Sequence, residues 1–335
     1  MARERQSNIE LLRVIVMYMI LLLHANFLLF GWPQGNNVVS LFRFTAQSVT
    51  IVAVNVFVLI TGYFGTSFKI SKVLNLCFQV LFAVVSVSLL FIVFGLYQIN
   101  TIKDFARGFR FWHYWFINAY IGLVFLCPIL NLAIKQMTQR QYKIILISLF
   151  VLFSILHGDL VLTPHGLNLA GGYSTIWFVY LYLLGRYIAI YSIDANYSKL
   201  SILTVYCIGL IGTFLSMKLL HNSSYNNPFV AIQSLAFFIL FLKFSFKNRA
   251  LNFVASSSLM VFLLHRHPIL VTYYNRSIVQ LNTVYGDTVK FIIAVLLFCA
   301  LVFLLAILYD QLRKYLWSFV EPLAKKCDRF TDALN

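Results

Sequence analysis

The sequence predicts an all-α, polytopic integral membrane protein of about ten transmembrane helices. Three observations predict it. Of 335 residues, 61% are hydrophobic and only 11% charged, whereas a soluble domain is roughly half apolar and a quarter charged. The apolar residues gather in runs that approach the roughly 20 helical residues needed to cross about 30 Å of hydrocarbon. Basic residues are biased toward alternate connections between those runs.

The runs fall at 9–30, 40–62, 73–97, 115–134, 141–157, 174–192, 200–220, 229–244, 252–272 and 289–312. Ten spans use about 200 residues and leave only short loops. With no internal repeat, low-complexity segment or Gly/Ser linker, residues 1–335 read as a single membrane-embedded domain. The first run directly follows Met1-Ala2-Arg3-Glu4-Arg5 and contains polar groups. No small-residue cleavage site ends it, so it reads as a retained span and not a signal peptide. With both termini in the cytoplasm, 17 of the 26 Lys and Arg residues fall on the cytoplasmic side and 8 outside, with Arg13 inside the first span. That bias predicts a multi-pass protein of the cell membrane with both termini inside.

The net charge of +16 is spread over these loops and forms no single patch, so nucleic acid is not an expected partner. The five cysteines form no CxxC pair, and four lie in apolar runs, which predicts free apolar thiols. No GxSxG elbow, Walker loop or metal-spaced His/Cys cluster occurs. Serine-nucleophile and nucleotide-hydrolysis chemistry are therefore disfavoured, and no metal is expected.

Arg13 and His24 carry the most chemical information. They are eleven positions apart, and at about 100° per residue both fall within about 20° of one helical face, about 16 Å apart along the axis. Alone, Arg13 could snorkel to the interface and His24 could be a packed helix contact. Together on one face they suit a ligand about three turns long that ends in an anion. A thioester such as acetyl-CoA has that shape. Its phosphates match a guanidinium, its pantetheine arm can thread a protein cavity, and a neutral imidazole can accept the proton of an acceptor hydroxyl.

The segment Asn8-Ile9-Glu10-Leu11-Leu12-Arg13 running to His24 resembles the opening of the acyltransferase-3 family, marked by an arginine, ten residues and then a histidine in its first span. Three further stretches are similar to a bacterial exopolysaccharide and capsule branch of that family. They are Val54-Asn55-Val56-Phe57-Val58-Leu59-Ile60-Thr61-Gly62-Tyr63-Phe64, Tyr114-Trp115-Phe116 through Tyr120 to Pro128-Ile129-Leu130-Asn131, and Ser256-Ser257-Ser258 through His265-Arg266-His267-Pro268. The resemblance implies O-acylation, usually O-acetylation, of an envelope glycan or lipid-linked saccharide from cytosolic acyl-CoA. It also implies catalytic roles for Arg13 and His24.

Other residues are candidates beside structural alternatives. Glu10 can pair with Arg13 one turn away. Arg186 is a second candidate for donor phosphate, or a positive-inside residue. Trp115, Tyr120, His113, His265 and Asn55 are candidates for the acceptor. Against them stand an aromatic belt for the rings, a solvated loop for His113, and helix hydrogen bonding for His265 and Asn55. The loops 98–114 and 157–173 hold Phe109, Arg110, Phe111, Trp112, His157, Asp159, His165, Gly171 and Gly172, whose aromatic residues read as an interfacial belt or as an outward-facing sugar-stacking platform. The competing reading is a transporter or flippase of lipid-linked sugars. It is weakened because no acidic residue occupies a clear midplane position and no paired, broken spans suggest inverted repeats.

Overall fold

The computed structural model describes residues 6–36, 38–96, 103, 113–156, 169–286 and 288–334. Among them the chain is helical throughout, with seven helices long and apolar enough to cross a membrane: Ser7–Phe30, Ser40–Phe64, Ile70–Val93, Trp115–Gln136, Gln139–Leu156, Lys199–Leu220 and Val289–Thr331. Two further apolar helices, Thr175–Tyr191 and Pro228–Leu242, are shorter. Rows of side chains that water would not tolerate face outward. On α9 (Lys199–Leu220), Leu200, Ile208, Ile211, Leu215 and Leu219 are 46–73% exposed at helical spacing, a stripe that lipid covers. The chain is an all-α multi-pass membrane protein.

Two compact units make up the chain, one from Met1–Ser67 with Ala119–Ala255, the other from Phe68–Asn118 with Ser256–Asn335. In the first unit, α1 (Ser7–His24) packs against α3 (Val38–Thr50), α4 (Ala53–Phe64), α10 (Pro228–Leu242) and α11 (Arg249–Ala255), with the single turn α2 (Phe27–Phe30) following it. Part of α6 (Trp115–Gln136), α7 (Gln139–Phe150) and α8 (Thr175–Tyr191) complete this unit with α9. α4 crosses α8 closely. A Cβ on Gly62 would stand 2.4 Å from the Tyr182 carbonyl oxygen, and one on Gly185 would stand 2.5 Å from that of Leu59. Only hydrogen fits at these positions, the small-residue solution for helices that lipid does not push together.

The second unit contains α5 (Ile70–Val93), α12 (Ser258–His265), α13 (Leu270–Tyr285) and the long α14 (Val289–Lys326). The Asp328 carboxylate, beyond α14, accepts the Ser71 backbone N–H at 2.8 Å and its hydroxyl at 2.7 Å, closing the first turn of α5.

Three boundaries differ from the sequence expectation. The run at 252–272 is not one straight span. The helix ending at His265 and Leu270–Tyr285 meet at 86°. Pro268 has no N–H to continue the helix, and the His267 Nδ1 accepts the Ile269 N–H at 3.1 Å, capping the new one. The segment after 272, read as a loop, is helical to Tyr285. α14 runs fourteen residues past the expected end at 312, because charged residues there are buried or paired instead of exposed.

Candidate active site

Arg13 and His24 both lie on the unbroken α1, His24 as its last residue. Between them on the same face are Val16, Met17 and Ile20, 0%, 3% and 4% exposed. The opposite face, Leu11, Val14, Ile15, Tyr18 and Leu22, is only partly buried. The shared face of Arg13 and His24 therefore looks into protein and not into lipid. Polar anchors hold the start of the helix. Ser7 Oγ donates to Asn252 Oδ1 at 3.0 Å and accepts the Asn248 N–H at 2.9 Å, while Asn8 Nδ2 donates to the Phe241 carbonyl at 3.0 Å.

A different lock holds the far end. Asn26, just past His24, donates through Nδ2 to the Arg43 carbonyl at 2.8 Å and accepts Arg43 Nε–H on Oδ1 at 3.1 Å. Arg43 Nη2 also donates to the Gly31 carbonyl at 2.8 Å, and its guanidinium lies over the Phe30 ring at 5.4 Å. The imidazole thus stands one residue before a turn that is tied to α3 from both sides. His24 itself is half-buried.

Two guanidinium groups lie at the end of α4. Arg13 Nη1 donates to Glu10 at 3.1 Å, and its Cζ sits 5.8 Å from the Phe64 ring centroid. Arg186 Nη1 donates to the Tyr63 carbonyl at 3.3 Å and would lie 2.9 Å from a Cβ on Gly65, whose φ is +70°. The negative end of the α4 dipole and its open carbonyls suit both cations. Among the described residues neither Nη2 nor Nε of either arginine makes a hydrogen bond, and Arg186 has no carboxylate partner. The Arg13 side chain is 33% exposed and Arg186 is half-buried. Each guanidinium keeps the planar fork that binds an oxyanion bidentately.

The chain after α4 is held open beside them by a closed ring of hydrogen bonds. Tyr182 Oη donates to Asn131 Oδ1 at 2.7 Å, Asn131 Nδ2 donates to the Thr66 carbonyl at 2.9 Å, and the Thr66 N–H donates to Tyr182 Oη at 3.3 Å. Sequence reasoning did not single out Tyr182. Asn131 figured only as the end of a motif. Their apolar surroundings hid a pairing that is close only in space.

The remaining candidates fall elsewhere. Tyr120 shares a hydrogen bond with the Thr61 hydroxyl and lies within electrostatic range of Arg13, so it groups with the arginine end of α1. Asn55 is fully buried, with Nδ2 on the Tyr225 carbonyl at 2.8 Å and on Ser234 Oγ at 3.3 Å, and with Oδ1 accepting Trp177 Nε1–H at 3.0 Å. It fastens the turn before α10 to α8, a positioning role.

His113, Trp115 and His265 belong to the second unit. Trp115, half-buried, starts α6, and His113 is exposed beside Tyr114. Tyr114 donates to the Leu263 carbonyl at 3.0 Å and packs on Phe262, which packs in turn on His265. His265 is 2% exposed, its Nδ1 is 2.7 Å from the Val261 carbonyl, and its ring packs on Tyr274. Phe109, Arg110, Phe111, Trp112, His157, Asp159 and His165 lie outside the described residues.

A family model described as an acyltransferase domain, that of acyltransferase family 3, matches residues 6–310. No curated protein and no solved structure matches the chain. The match begins at the residue that caps α1 and takes in Arg13, His24, Arg186 and every span but the end of the last, Val289–Thr331. The chain therefore belongs to the acyltransferase-3 family and is a membrane-embedded acyltransferase.

Proposed function

We propose that this acyltransferase moves an acetyl group from cytosolic acetyl-CoA to a hydroxyl of a cell-envelope or exopolysaccharide glycan, polymeric or lipid-linked, with both chain termini in the cytoplasm. The observation that carries the reading is the single buried face of α1, bearing a guanidinium near its start and an imidazole at its end, about 16 Å apart. Arg13 and Arg186 bind the donor's phosphates at the cytoplasmic end. Tyr120 and Thr61 border the pantetheine arm. The thioester reaches His24, whose neutral ring removes the proton of the acceptor hydroxyl as its oxygen attacks the carbonyl carbon. The C–S bond breaks, the thiolate leaves, and the imidazolium proton goes to the sulfur, so an ester and free CoA thiol result. Trp115, His113 and His265 are assigned to the acceptor.

Support for a soluble thioester donor comes from the two arginines with donors left open. The 17-to-8 distribution of basic residues supports the orientation. Mass spectrometry of the envelope glycan from cells with and without the gene tests the proposal. Loss of an acetyl mass increment from an otherwise intact polymer is expected. An unchanged acetyl content, or loss of the whole polymer, overturns it.

A further inference from the structure

Along α3 the side chains divide by face. Phe44 and Ser48 turn toward α9, where Phe44 packs on Phe214 at 6.1 Å and Ser48 Oγ donates to Met217 Sδ at 3.5 Å. Phe42 and Thr45, on the outer side, are exposed. Arg43, Gln47 and Thr50 fall within about 60° of one another on a third face. Arg43 is tied to Asn26, so this face turns toward the end of α1.

Gln47 is 6% exposed, and its Oε1 makes no hydrogen bond among the described residues. A buried carbonyl oxygen left bare costs stability, and such an atom in a native protein calls for an occupant. Thr50, 4% exposed, gives its hydroxyl proton to the Ala46 and Gln47 carbonyls at 2.8 and 3.3 Å, so its oxygen remains an acceptor. What this face lacks is a donor.

The register sets its height. Arg43 lies beside Asn26 and Phe64 beside Arg13, so the span formed by α3 and α4 runs antiparallel to α1, which packs on both. Gln47 is four residues from Arg43, about 6 Å toward the Arg13 end, and His24 is two residues from Asn26, about 3 Å the same way. Gln47 therefore stands about 3 Å to the Arg13 side of His24, with Thr50 about 4.5 Å further on. A pantetheine thioester presented to His24 carries a secondary amide two methylenes beyond its sulfur. That N–H falls on the Arg13 side of the imidazole, at the level of Gln47. The α1 face along the way, Val16, Met17 and Ile20, is apolar. An amide taken out of water here needs an oxygen from the facing helix.

We propose that Gln47 Oε1 accepts the amide N–H of the pantetheine arm nearest the sulfur, which makes Gln47 a donor-binding residue that selects amide-bearing thioesters. The inference rests on the reading of acetyl-CoA as the acyl donor. The full-length protein in proteoliposomes is given two truncated donors in turn, S-acetyl-N-acetylcysteamine and its oxygen ester analogue, acetylthioethyl acetate. They differ only in N–H against O, and neither carries a phosphate, so the arginines do not enter the comparison. Thiol release reads kcat/KM. The wild type is expected to prefer the amide at least about fivefold, as one buried hydrogen bond gives. Gln47→Leu brings that ratio to about one and raises the KM for acetyl-CoA by a similar factor, with kcat held. Its Tm stays at or above the wild-type value, because the oxygen removed has no partner in the fold. Gln47→Met, closer in length, gives the same result and decides the matter if the leucine variant does not fold. Equal use of the two truncated donors by the wild type, or an acetyl-CoA KM unchanged in a folded Gln47 variant, overturns the inference while turnover of acetyl-CoA leaves the donor reading standing. Absence of thiol release from acetyl-CoA by the wild type overturns that reading and this inference with it.

Discussion

Replacing Arg13 by alanine has two separable consequences. Its Nη1 stands 3.1 Å from Glu10, whose side chain is 6% exposed while that of Arg13 is 33% exposed. The pair itself, open to solvent on the cation side, contributes under about 1 kcal/mol. A Glu10 carboxylate left alone and buried costs more, about 1–3 kcal/mol of stability. A donor phosphate held by Arg13 through charge-assisted hydrogen bonds contributes about 1.5–3 kcal/mol, roughly 10- to 150-fold in the KM for acyl-CoA. Adding Glu10→Gln removes the stranded charge and leaves the missing phosphate contact missing. In proteoliposomes, release of the CoA thiol is followed against acyl-CoA concentration, with Tm measured in parallel. Arg13→Ala raises KM and lowers Tm. The Glu10→Gln/Arg13→Ala protein regains Tm but keeps the raised KM. A double variant whose donor KM returns to the wild-type value refutes the phosphate role and leaves Arg13 as the counter-ion of Glu10.

Three more outcomes follow from the same geometry. His24→Ala lowers kcat about 10²- to 10⁴-fold with little change in Tm or in donor KM, the signature of a lost general base. Transfer at the wild-type rate removes His24 from the chemistry. Gly185→Ala forces a methyl group against the Leu59 carbonyl and the Tyr63 N–H, destabilising the protein by about 1–3 kcal/mol, read as a lowered Tm, and raising donor KM through the shifted Tyr63–Arg186 contact. An unaltered melting curve contradicts that packing. Asn55→Ala removes the acceptor of the Trp177 indole N–H and the donor to the Tyr225 carbonyl, and costs about 1–3 kcal/mol. A change in acceptor KM at full stability would instead give Asn55 a direct contact with the glycan.

The membrane class and the continuity of α1 were legible in the sequence because both rest on local pattern, hydropathy over a window and an eleven-residue register within one helix. The bend after His265 was less so, since hydropathy does not register that His267 caps the helix Pro268 begins. Asp310, Arg313 and Lys314 looked like edge charges, because burial of a polar residue depends on what packs against it. Lys314 donates to Ser256 and Ser257, more than fifty residues away in sequence. Arg186 was visible as a cation, but its company at the end of α4 depends on the Gly62–Gly185 contact between helices far apart in the chain. Asn55 stood out as a polar residue in an apolar run, and only its three partners reveal a fastening role.

The two-way hydrogen bond between Asn26 and Arg43 has a consequence for how such an enzyme diversifies. A carboxamide is needed there because it must give to a carbonyl and take from a guanidinium at once. A carboxylate would lose the first bond and an aliphatic side chain both. With the base of the hairpin stapled, its tip, from Pro33 to Asn36, can change composition without moving the imidazole behind it.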